Sequence, residues 1–159
     1  MNKHESTERP DVVEVRGFLS QQEADELLAH IHAAEFKQNY INLYGRKAVP
    51  RLEAWFGSWD YPYSRGVILT AAPIPEGLAP IFERLAAQSF GTFNAVLINR
   101  YRSGKDYISP HSDGDYGDPN PTIPSLTLGA SRPFRLAKII SGNKLDKTTM
   151  AEYLPGMAI

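Results

Sequence analysis

The 159-residue chain contains no cysteine, which excludes disulfides, thiolate zinc centres and cysteine nucleophiles. Imidazole is nearly as scarce: His4, His30, His32 and His111 are the whole supply, so few combinations could hold a metal. No apolar run reaches the ~20 residues of a membrane-spanning helix. The opening stretch, MNKHESTERPDVVEVRGFLSQQEADELLAH, lacks the apolar core of a secretory signal, so a cytoplasmic location is expected. There is no internal repeat. Hydrophobic residues at 42% and charged residues at 22% are ordinary for a globular chain and exclude disorder or collagen-like order. The length predicts one domain over residues 12–159, preceded by a loose polar stretch at 1–11; a monomer is expected, although no sequence feature fixes the oligomeric state.

A formal net charge of −1 conceals an uneven distribution. Residues 1–35 carry eight acids against three bases, whereas the remainder carries ten acids against fourteen bases. The bases cluster as Arg46, Lys47 and Arg51, as Arg100, Arg102 and Lys105, and as Arg132, Arg135, Lys138, Lys144 and Lys147. Such clusters suit either a solvated surface or a polyanionic partner, where each neutralised phosphate releases counterions.

Val12–Val15 is short and β-branched and reads as a strand. Ser20 with Glu23 three positions later forms a capping box, and Ala24, Leu27, Leu28, Ile31 and Ala34 mark one apolar helical face. His30 and His32 flank that stripe as rim residues. Short strands follow from Phe36 to Gly57, then a polar, aromatic loop over 58–65. Leu78, Ile81, Phe82 and Leu85 line a second helix. Phe93–Tyr101 is strand-like, with Ala95, Leu97, Asn99 and Tyr101 on one side by alternation. Tyr107–Ser109, Ser125–Gly129, Pro133–Ile140 and Met150–Leu154 read as further strands, with a loop over Gly114–Pro121. The order predicts an α+β, mainly β chain built as a sandwich or barrel.

The chemistry centres on His111-Ser112-Asp113. In extended backbone, positions i and i+2 project to one side, so an imidazole and a carboxylate can grip one ion. Two histidines and a carboxylate form the facial triad of non-haem Fe(II) oxygenases, which leaves coordination positions for a co-substrate and O2. Alone, the pair is a weak signal. Asn99 and Tyr101 offer an amide and a phenol to an oxygen-rich acid, or simply end a strand. Asp115 could accept from the exocyclic amine of a base, or be an inert loop acid.

Taken together, Phe93–Tyr101, Gly104, His111-Ser112-Asp113-Gly114-Asp115, Pro124–Ala130 and Arg132-Pro133-Phe134 resemble the AlkB-like Fe(II)/2-oxoglutarate dioxygenases, closest to their animal DNA-repair branch. Upstream, Val49-Pro50-Arg51, Phe56-Gly57 and Tyr61-Pro62-Tyr63-Ser64 keep the same order, so roughly residues 40–140 are covered. The resemblance implies a double-stranded β-helix, or jelly roll, with N-terminal helices packed on one sheet. It implies His111 and Asp113 as iron ligands and Asn99 and Tyr101 as contacts to 2-oxoglutarate. Tyr61, Tyr63 and Ser64 would line a pocket for a flipped nucleobase, with Asp115 near its Watson–Crick edge. Tyr44 would be the aromatic finger that fills the gap in the duplex, and the basic clusters would hold phosphates. The implied reaction is oxidative dealkylation of N-alkylated bases in DNA or RNA, using Fe(II), 2-oxoglutarate and O2 and releasing aldehyde, succinate and CO2.

The family pattern stops short of a second histidine ligand and of the arginines that follow it: no histidine lies after His111 and no arginine after Arg135. The chain ends Leu154-Pro155-Gly156-Met157-Ala158-Ile159, where family members often read Leu-Pro-His-Gly-Asp-Leu. A codon set for His-Gly-Asp read one base later encodes Met-Ala-Ile. The expectation is therefore a truncated or frameshifted chain that lacks the third ligand and the last core strands, with impaired activity. A non-catalytic nucleic-acid-binding remnant and a defective product are the alternatives.

Overall fold

The computed structural model describes residues 12–42, 44–64, 66–111, 122–137, 139–141, 144–145 and 151–153. Two helices and ten short strands are assigned among them. Helix α1, Gln21–His32, opens on the expected capping box. The Ser20 amide donates to Glu23 Oε2 at 2.7 Å, and the Glu23 amide donates to Ser20 Oγ at 3.3 Å. Two of the amides that a helix start leaves unpaired are thereby satisfied. Ala24, Leu27 and Ile31 are buried along one face, while His30 and His32 are exposed.

The chain forms two compact units, one of Ala29–Pro124 and the other of Met1–Leu28 with Ser125–Ile159. In the first, β1 (Tyr40–Asn42) and β2 (Arg46–Ala48) form an antiparallel hairpin. Strand β3 (Leu52–Phe56) pairs antiparallel with β6 (Val96–Arg100), with Glu53 opposite Asn99 and Trp55 opposite Leu97. A bridge between Lys37 and Glu53 and a parallel bridge between Phe56 and Ala72 extend this ladder. Alternation along β3 divides the strand in two. Leu52, Ala54 and Phe56 point to one side, with Ala54 and Phe56 buried. Arg51, Glu53 and Trp55 point to the other.

Strands β4 (Tyr61–Ser64) and β5 (Val67–Leu69) make a second hairpin. Gly66 turns the chain there at φ +80°, a conformation that L side chains rarely adopt. The expected loop over 58–65 is therefore corrected: its second half is a strand, whose Tyr61 and Tyr63 sit two apart. Ser, Asp and Pro gave the segment a loop-like composition, but Pro62 is tolerated on an exposed edge opposite exposed Ile68. A 3₁₀ turn at Glu76–Leu78 leads into α2 (Ala79–Ala87), with Pro80 in its first turn and Leu78 and Ile81 buried. The expected second helix is present.

The other unit contains β7 (Phe134–Leu136) paired with β10 (Ala151–Tyr153), and a small hairpin of β8 (Ile139–Ser141) and β9 (Lys144–Leu145). Phe18, Leu19, Ala24 and Leu27 are its buried apolar side chains among the described residues.

Three expected strands do not form. Val12–Val15 has no ladder partner among the described residues, and Val13 stays exposed; a β-branched run without a hydrogen-bonded neighbour is not a strand. Tyr107–Ser109 is irregular, with the Tyr107 amide donating singly to the Pro50 carbonyl at 2.9 Å. Ser125–Gly129 carries no ladder either. Gly114–Pro121 lies outside the described residues. Among the described residues, no helix is long and apolar enough to cross a membrane.

Replacing Ser20 by Ala removes one half of the α1 capping box. The expected cost is about 1 kcal/mol in urea unfolding, with an unchanged slope.

Candidate functional site

The side of β3 that carries Arg51, Glu53 and Trp55 holds the densest polar network among the described residues. Arg51 is only 3% exposed and Glu53 only 2%. The Nη2 of Arg51 lies 2.7 Å from Glu53 Oε1. Asn39 Nδ2 donates to the other carboxylate oxygen, Oε2, at 2.8 Å. Two opposite charges removed from water need such partners, because either one left alone would be strongly destabilising.

The same guanidinium reaches further. Its Nε donates to Asn99 Oδ1 at 2.8 Å, across the β3–β6 ladder. Nη2 donates to the Tyr63 hydroxyl, and Nη1 makes a long contact of 3.5 Å to the Tyr107 carbonyl. Because Oδ1 of Asn99 must accept from Arg51, the amide is fixed with Nδ2 as its remaining donor. Gln38 braces the backbone below: its Nε2 donates to the Val49 and Arg51 carbonyls. Gln38 Oε1 accepts from Arg102 Nη1 at 2.8 Å, and Arg102 grips Asp106 through two side-chain bonds of 2.7 and 2.9 Å.

Burial pushes the Tyr63 phenol above its usual value of 10.0; the charge on Arg51 opposes this shift and the Glu53 carboxylate adds to it. Folding thus favours the protonated phenol. That contribution is fully present through neutral pH and is lost as the pH rises through the raised folded-state value.

Beside the network runs an aromatic row. Trp55 stacks on Tyr61 with ring centroids 4.8 Å apart, and Tyr61 meets Tyr63 edge-on at 6.1 Å. Trp59 meets Trp55 edge-on at 6.4 Å and accepts the Trp55 indole N–H on its carbonyl at 2.7 Å. Such a row offers flat, apolar surface with polar edges.

Of the residues expected to form a site, Asn99, Tyr61 and Tyr63 gather within this network. Ser64 closes β4. Tyr101 follows β6 and is half-buried. His111 is exposed, and its Nδ1 lies 2.8 Å from the Ser109 carbonyl. A carbonyl can only accept, so Nδ1 is the donor; in the neutral ring the lone pair then falls on Nε2, the form in which imidazole binds a metal. Asp113 and Asp115 lie outside the described residues. Among those described, no three His, Asp or Glu side chains stand together as a metal site.

Tyr44 projects from the β1–β2 turn, 98% exposed and at φ +50°, an uncommon backbone for an aromatic residue, with Gly45 following at φ +105°. Arg46 lies over the ring of Tyr40 at 4.1 Å on the same hairpin.

One expectation is overturned. Arg51 does not join Arg46 and Lys47 in an exposed phosphate-binding cluster: it is buried and neutralised by Glu53. The signal was present in Arg51-Leu52-Glu53-Ala54-Trp55-Phe56, where two opposite charges alternate with apolar residues that must face a core.

Residues 11–153 match the family described as the 2OG-Fe(II) oxygenase superfamily. Among curated proteins, the chain is 39% identical over 93 residues to alpha-ketoglutarate-dependent dioxygenase alkB homolog 3 of Mus musculus, covering 56% of this chain and 32% of that protein. The Homo sapiens protein of the same name matches at the same identity over the same length. DNA oxidative demethylase ALKBH2 of Mus musculus is 34% identical over 113 residues, covering 69% of this chain and 47% of that protein. The chain thus spans about a third to a half of the length of these relatives.

Glu53→Ala leaves the Arg51 charge buried without its partner and should cost about 3–5 kcal/mol in chemical denaturation. In the milder Glu53→Gln variant, loss of the carboxylate should lower the pH at which the Tyr63 ring ionises, read by NMR of ring-labelled tyrosine. An unchanged titration would show that Glu53 does not act on the phenol.

Proposed function

The chain belongs to the 2OG-Fe(II) oxygenase superfamily, and from that premise we propose that it works as an AlkB-type dioxygenase, removing N-linked alkyl groups from bases of DNA or RNA. In this reading residues 12–159 form one double-stranded β-helix domain with the helices against one sheet. The names of its relatives, a dioxygenase dependent on alpha-ketoglutarate and a DNA oxidative demethylase, favour this chemistry over other oxygenations.

The observation that carries the proposal is the state of Asn99. Its amide oxygen is engaged by a buried cation, so its nitrogen is preset to donate to an oxyanion such as a carboxylate of 2-oxoglutarate. Tyr101, two residues on, supplies a phenol to the same co-substrate. His111, through Nε2, and Asp113 would supply two of the three protein ligands that Fe(II) takes in this chemistry, an imidazole and a carboxylate that both suit the ion; no histidine follows His111 in this sequence to complete the set. When bound, iron couples the oxidative decarboxylation of 2-oxoglutarate by O2, giving succinate and CO2, to insertion of one oxygen atom into a C–H bond of the N-linked carbon. The hydroxylated product loses aldehyde and leaves the nitrogen with its proton.

The protein's own share is binding and positioning. A base inside a duplex is out of reach and must leave the stack, at a cost of a few kcal/mol. The row of Trp55, Tyr61 and Tyr63 offers stacking surface that offsets part of that cost. Ser64 would line the same pocket, with Asp115 near the Watson–Crick edge of the base. Tyr44, bare to solvent on its turn, suits a wedge entering the vacated gap, with Arg46 and Lys47 on the same exposed hairpin for phosphates.

Incubation with Fe(II), 2-oxoglutarate and an oligonucleotide carrying an N-methylated base should yield succinate and formaldehyde in equal amounts. His111→Ala should weaken iron binding by more than about 100-fold and abolish both products. Salt-sensitive oligonucleotide binding with neither product would overturn the enzymatic reading in favour of a non-catalytic binder.

A further inference from the structure

We propose that Arg51 is a positioning residue that couples the co-substrate site to the base site, so that each ligand strengthens the binding of the other. The inference rests on the reading above, in which Asn99 meets 2-oxoglutarate and Tyr63 meets the base.

Two partners from different parts of the site converge on one planar group. Arg51 holds Asn99 through Nε at 2.8 Å and the Tyr63 hydroxyl through Nη2. Asn99 belongs to β6 and Tyr63 to β4, and these strands do not pair with each other. The guanidinium is therefore a direct polar link between them. Its fork is rigid, so one orientation satisfies both bonds, and holding it for one partner holds it for the other. Only 4% of the Arg51 side chain is exposed and none of the Glu53 side chain. Solvent neither screens the link nor replaces it.

Polarisation runs both ways. An amide whose oxygen accepts from a cation is a stronger donor at nitrogen, and an oxyanion bound there draws the guanidinium more firmly onto Oδ1. The hydroxyl of Tyr63 accepts from Arg51, so it is committed to the buried pair. Fixing that ring against a base fixes the same guanidinium from the other side. Ordering the fork once serves both ligands, which is positive cooperativity without a change of fold.

Glu53 makes this arrangement possible. A lone buried arginine would draw anions to itself; paired with Glu53, it is close to neutral overall and acts through its geometry. The carboxylate is itself fixed by Asn39, so the link is anchored on its third side.

The test measures a ratio rather than an affinity. With Mn(II) in place of iron and oxygen excluded, the full chain is titrated against a fluorescent oligonucleotide carrying one N-methylated adenine, without and with saturating 2-oxoglutarate. The wild-type chain should bind the oligonucleotide about 5-fold more tightly when 2-oxoglutarate is present, at the lower end of typical coupling. Arg51→Lys keeps the charge but has no planar fork, and its two dissociation constants should agree. Tyr63→Phe keeps the ring and cuts the link at a half-buried hydroxyl, so the coupling should fall even if the lysine variant does not fold. A weakened but correctly folded site would lose affinity in both titrations and leave the ratio intact. A ratio that survives in Tyr63→Phe, or in folded Arg51→Lys, overturns the inference while leaving the proposed function standing. A wild-type chain that binds neither ligand overturns both.

Discussion

A buried arginine just before a strand, facing a buried glutamate two residues on, is the constraint around which this site is organised. Arg51 and Glu53 are nearly inaccessible to water, and each is tolerable there only because of the other. From that pair radiate the contacts to Asn39, Asn99, Tyr63 and the Tyr107 carbonyl, which bring residues from distant parts of the sequence to one place. The pair contributes little net stability compared with an apolar pair of the same volume. What it confers is direction: an amide turned one way, a phenol kept protonated, and a strand register in which Glu53 must oppose Asn99.

Fold class and site were legible to different degrees. The start of α1 was readable because a capping box is a local motif whose atoms satisfy one another without tertiary help. The second helix was readable from its apolar spacing and from Pro80 near its start. Strands were harder, since a strand needs a neighbour that lies elsewhere in the sequence. Val12–Val15 has the right residues and no partner, while Tyr61–Ser64 has a proline and a serine and does have one.

Among the candidate site residues, Asn99 was singled out because it shares a strand face with Tyr101 shortly before His111 and Asp113. Arg51 was noticed and misassigned: charge clustering along the sequence suggested solvent, whereas alternation with Leu52, Ala54 and Phe56 dictates which side each residue faces. Glu53 was overlooked because a lone acid in a mixed segment has no local signature. Only the cross-strand register makes its burial intelligible. Relatives named as dioxygenases and DNA demethylases add the chemistry that composition could not supply, although they are two to three times longer than the stretches they share with this chain.

The aromatic row has a consequence of its own. The chain has two tryptophans, Trp55 and Trp59, and both stand in that row, one stacked on Tyr61 and the other edge-on to its partner. All of the intrinsic indole emission therefore arises beside the candidate site, with no background from remote parts of the protein. Any planar molecule that settles on Trp55 or Tyr61 changes the light the whole molecule gives off. The protein carries its own optical gauge of occupancy.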